Sequence, residues 1–160
     1  MEEKKARLVA GSPVAGILIS AAAHGWDFVG ITYAANMESL SPTDTAISPA
    51  VQPPQNRPVS NVERASVLLA GFEAECYVCE IAEKHGGVKF TQEILDDIML
   101  RAKPVAQLCP ALSKKEQRQA SDKARSVIAK NFDIWGEVVE AIIDGRSRDQ
   151  IIPILRKVRK

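Results

Sequence analysis

The residues best equipped for chemistry lie near the middle of the chain: Cys76-Tyr77-Val78-Cys79, with His85 six residues on and Cys109 downstream. Three thiolates and one imidazole make a donor set that suits tetrahedral zinc. Spaced i, i+3 on a helix, Cys76 and Cys79 fall on one side, which chelation permits. Zinc modules, however, place such a pair in a turn, and this chain has a single CxxC. Both cysteines also continue an apolar seam from Leu69 and Phe72, where a free cysteine behaves as a small hydrophobe. The seam reading is preferred, and no metal or other cofactor is expected. A thioredoxin-like redox role needs alternating strands that set the CxxC at a helix start, a pattern the sequence lacks.

Other reactive types are isolated. His24 and His85 sit at predicted helix ends, where a histidine complements the dipole or the cap, and neither has a nucleophile beside it in sequence. Glu73, Glu75, Glu80 and Glu83 crowd one helix without the Glu-x-x-His repeat of di-iron bundles. Gly86-Gly87 lacks the surroundings of a phosphate loop. No catalytic residue is assigned, no small-molecule substrate is inferred, and the protein is expected not to be an enzyme.

Charge is the next candidate. The formal net charge is +1, yet residues 1–100 hold seven Lys/Arg against thirteen Asp/Glu, while residues 101–160 hold fourteen against seven. Such asymmetry suggests an acidic partner for the basic end, or self-association of opposite ends. Lys114, Lys115, Arg118, Lys123 and Arg125 lead the basic region, and Arg146, Arg148, Arg156, Lys157, Arg159 and Lys160 decorate its tail. Side chains of this kind neutralise phosphates without reading sequence. Residues 137–155 loosely resemble a helix-turn-helix, but Pro153 falls where a recognition helix should be continuous. A solvated helix surface explains the same charges.

The elements that must position these residues are mainly helical. Length and composition (160 residues, 46% hydrophobic, 26% charged) fit one soluble domain and exclude wholesale disorder and a polytopic membrane protein. Ser12-Pro13 predicts a helix over 13–24, stopped by Gly25. Trp26–Tyr33 follows as a strand or a second helix. Residues 39–60, with Pro42, Pro49, Pro53, Pro54 and Pro58, read as a stiff extended strap that spaces the two parts or lies across the domain surface. Ser60 and Glu63 then form a capping box for a helix whose seam is Val62, Ala65, Leu69, Phe72, Cys76 and Cys79. Gly86-Gly87 ends it. Thr91 starts a helix whose predicted buried stripe is Ile94, Leu95, Ile98 and Ala102, halted by Pro104. Ser113 and Glu116 cap a long helix reaching Gly145, which Asn131 or Gly136 bends or divides. Ser147 and Gln150 cap a last short one that Pro153 kinks.

The expected architecture is therefore a bundle of four to six helices. An apolar N-terminal arm (1–38) sits on a proline-rich strap (39–60), followed by a helical domain with a basic tail (61–160). Low, odd cysteine usage favours a reducing, cytoplasmic setting, although Lys4, Lys5 and Arg7 before the apolar run Val14–Ala23 also resemble a signal-peptide layout. The leading functional expectation is a subunit of a homo- or hetero-oligomeric complex, with Ile17, Leu18, Trp26, Phe28 and Tyr33 of the arm as assembly contacts. Nucleic-acid binding by the basic region and membrane anchoring by residues 8–35 are the alternatives.

Overall fold

Small side chains decide how the first helix packs. In the computed structural model, which describes residues 2–33, 47–87, 89, 91–107, 109 and 111–160, helix α1 spans Glu2–Ala23. It carries Gly11, Ala15 and Gly16 against its neighbours α2 (Asn61–Gly86) and α5 (Phe132–Ile143). A Cβ placed on Gly16 would stand 2.5 Å from the Ala70 carbonyl oxygen, and one on Gly71 would stand 2.6 Å from that of Pro13. The two backbones approach this closely because both positions are glycine.

The expected start at Ser12-Pro13 is displaced: α1 begins at Glu2 and carries Pro13 in its interior. Packing overrides the local signal, since Pro13 is pressed against Gly71 of α2. The α2 seam shifts for the same reason. The face turned to α1 is Val67, Ala70, Gly71 and Ala74, while of the predicted seam Ala65 is buried and Val62, Leu69, Phe72, Cys76 and Cys79 are only half-buried.

Trp26–Tyr33 resolves as strand β1 (Asp27–Tyr33), paired antiparallel with β2 (Ile47–Gln52). The register runs from Asp27↔Gln52 to Tyr33↔Ile47 and slips at Val29. Part of the predicted strap is therefore a sheet strand. Its Pro49 is tolerated because each strand of a two-stranded sheet is an edge. Residues 34–46, where the rest of the strap's start was expected, lie outside the described residues.

Four further helices complete a mainly α-helical bundle: α3 (Gln92–Gln107), α4 (Lys114–Lys130), α5 and α6 (Arg148–Leu155). The predicted long helix is divided at Asn131, which is fully buried. Its amide Nδ2 donates to the carbonyls of Val127 and Arg159 at 3.0 Å each, and its Oδ1 accepts from Arg159 N at 2.7 Å. Pro104 does not halt α3, which runs on to Gln107, and α6 runs through Pro153. One core joins Val14, Leu18 and Ile19 of α1 to Phe28, Ile47, Ile128, Val138, Ile142 and Ile151. The N-terminal segment is thus central to the domain and buried by its own chain.

Candidate functional site

The arm residues proposed as assembly contacts face inward. Leu18, Trp26 and Phe28 are buried, and Ile17 and Tyr33 are half-buried against the same interior. Trp26 Nε1 donates to Glu63 Oε1 at 3.0 Å, and Tyr33 Oη donates to the Arg146 carbonyl at 2.8 Å. These five side chains contribute to the protein's own fold, Leu18, Trp26 and Phe28 from within its core. No helix among the described residues is long and apolar enough to cross a membrane.

The basic set divides in two. In the tail and beside it, charges are spent internally. Arg125 pairs with Glu80, Arg146 with Asp144 at 3.7 Å, and Lys157 with Glu137 at 2.7 Å. Arg159 binds Asp133 at 2.9 Å and donates to the Lys130 carbonyl, while Lys130 Nζ donates to the Lys160 carbonyl at 3.0 Å. Arg148 donates from Nε to the Phe28 carbonyl at 2.8 Å and pairs with Asp149. The C-terminus is latched onto α4 and α5 by these contacts. By contrast Lys114, Lys115, Arg118 and Lys123 make no ion pair among the described residues; they spread around the exposed side of α4 together with Asp122. Arg156 stands at a shallow open hollow of about 280 Å³ whose walls include Leu18, Trp26, Phe28, Leu155 and Arg148.

The thiols are also placed for packing. Cys76, Cys79 and Cys109 are free and half-buried. Burial, with Glu73 beside it, pushes the Cys76 thiol up to about 11, and burial raises Cys79 and Cys109 too. A thiol raised in this way is less readily available as the thiolate, the form that nucleophiles and metal ligands use. His85 is exposed at the end of α2, and among the described residues no three His, Cys, Asp or Glu side chains converge on a metal position.

Glu63 is the most strongly tuned group. Its carboxylate takes two bonds from Arg57, at 2.7 and 3.0 Å, besides the one from Trp26. The Arg57 bonds hold its pKa down at about 2 against the opposing effect of burial. The Ser60 hydroxyl accepts from Glu63 N as expected, but the carboxylate is drawn into this network. Glu73 and Glu75 move the other way, raised mainly by burial, with Arg101 Nη1 2.5 Å from Glu75. All three bind neighbouring elements together.

One surface has no such internal use. Helix α3 packs on α2 alone among the described elements. Of its predicted buried stripe only Ile98 is buried; Ile94 and Leu95 are 44% and 38% exposed, and Ala102 is half-buried. Met99 and Leu100 add 58% and 46% exposure. Leu95, Met99, Ala102 and Ala106 recur at i, i+4, i+7 and i+11, one stripe along the helix. The sequence contains this periodicity; what it withheld is that α2 covers just one flank of it. The chain matches no family model, no curated protein and no solved structure.

Proposed function

We propose that the protein is a non-enzymatic helical subunit that assembles with another polypeptide through the outer stripe of α3. The observation that carries this reading is the exposure of Leu95 and Met99 on one stripe of a helix with a single packing neighbour. Fully burying an aliphatic side chain of this size contributes about 1.5–3 kcal/mol. Each of these two keeps roughly half of that in hand, so about 2 kcal/mol of apolar burial is left for a partner on this stripe. Natural surfaces use contiguous patches of this kind for association, and a helix that presents i, i+4, i+7 anchors suits an amphipathic helix on the other side.

The test is the size of the particle that holds this chain in an extract of its native cell, compared with Met99→Asp. The reading expects a complex larger than the 17.4 kDa chain and its collapse to monomer size in the variant. A particle of unchanged size in Met99→Asp, with helical content intact by circular dichroism, refutes it.

A further inference from the structure

The pattern of charge beside the stripe says what the partner is. Resting on the reading of α3 as a docking face, we propose that the occupant is α3 of a second copy of this chain, packed antiparallel about a two-fold axis near Met99.

The argument starts from size. Along the stripe a large residue is followed by small ones: Leu95, Met99, then Ala102 and Ala106. Antiparallel pairing centred near Met99 sets Leu95 against Ala102 of the other copy and brings the two Met99 side chains together at the axis. Large then meets small at both ends, and a flexible thioether fills the middle, the packing that helix–helix seams require. Parallel pairing sets Leu95 on Leu95 and Ala102 on Ala102, which crowds one end and leaves the other hollow.

Charge makes the same choice. Asp96 and Lys103, seven residues apart, lie on one flank of the stripe, and both are exposed. Asp96 is held only by Gln92, at 2.8 Å, and Lys103 makes no ion pair among the described residues. Antiparallel pairing brings each Asp96 to the other copy's Lys103, twice per dimer. Parallel pairing places this flank of one copy beside the opposite flank of the other, so neither Asp96 nor Lys103 meets its complement. The remaining ionic residues on the inner side, Asp97 and Arg101, are already joined to each other and to Glu75 of α2, so they stay out of the contact. An interface of this type is isologous and closes at two copies. With one 16-residue helix from each side it is small, which places the dissociation constant in the micromolar range.

Sedimentation velocity on the purified full-length chain, from about 1 to about 200 µM, reads this directly. The expected result is a reversible monomer–dimer equilibrium that Met99→Asp abolishes. Asp96→Lys or Lys103→Asp alone sets like charges opposite one another and weakens the dimer about five- to thirtyfold. The double variant restores it, because both pairs are rebuilt with their signs exchanged. A monomer at every concentration overturns the proposal, as does a dimer that Met99→Asp leaves intact or single reversals that change nothing. The first of these results leaves α3 as a docking face for a different polypeptide, and only the native-cell experiment above removes that reading.

Discussion

Replacing Gly16 with alanine isolates the contact on which the bundle is built. Alanine is the better helix former by about 1 kcal/mol, so on propensity alone Gly16→Ala stabilises α1. The new methyl would stand 2.5 Å from the Ala70 carbonyl oxygen and 3.0 Å from Ala74 Cβ. That is roughly an ångström short of ordinary contact with the first, and both obstacles are main-chain or Cβ atoms that no rotamer change can move. Relief requires α1 and α2 to separate, which loosens Ala15, Ala70 and Ala74, all with zero exposure. Overpacking of this kind costs about 3 kcal/mol at its upper end, and the propensity gain cuts the net loss to about 2 kcal/mol. For a chain of this length the melting temperature falls by about 4–8 °C. Gly136 is the control, because it lies inside α5 with nothing within 4 Å of its added Cβ. There alanine realises its full propensity, and melting rises by about 2–4 °C. Gly71→Ala should resemble Gly16→Ala, and the double variant should lose less than the two single losses combined, since one separation relieves both clashes. Thermal unfolding followed by circular dichroism measures all four. If Gly16→Ala melts at or above the wild-type temperature, the close approach of α1 and α2 is wrong and the argument from small residues goes with it.

Two further outcomes follow from the buried polar groups. Glu63 has a folded pKa of about 2, below its ordinary value of 4.5, so its contribution is complete above pH 4.5 and is lost as pH falls toward 2. After allowance for the exposure of Arg57 this amounts to roughly 2–3 kcal/mol. Denaturant midpoints measured across that window should fall more steeply for wild type than for Glu63→Gln; parallel curves contradict the assignment, and the comparison cancels the opposite drift from Glu73 and Glu75. Asn131→Ala removes two hydrogen bonds that tie Arg159 of the tail to the α4–α5 junction and a third to the Val127 carbonyl of α4. A loss of about 2 kcal/mol is expected, with faster amide exchange at Arg159, and unchanged exchange at that residue would show that the tail is held without Asn131.

What the amino-acid sequence settled by itself is what acts within a few residues. Ser113 with Glu116, and Ser147 with Gln150, close the capping boxes that their spacing specifies. Gly25 and Gly87 take the left-handed conformation just beyond the helices they terminate. Of the row Ala120, Ala124, Val127, Ile128, Ile134, Trp135, Val138 and Ile142 that the helical period marks, all are buried except Val127 and Trp135, which are half-buried against the same core. Helical class follows from such signals because caps, turns and periodicity are local. Tertiary structure decided the rest. Pro13 lies inside α1 because α2 holds it there, Ile47–Gln52 becomes a strand because β1 is beside it, and the arm is core because α2 and α5 enclose it. The candidate site shows the limit most clearly. Periodicity marks Leu95 and Met99 as the apolar side of α3, but whether an apolar side is interior or docking surface depends on how many neighbours reach it. That number is a property of the packed chain, and no window along the sequence contains it.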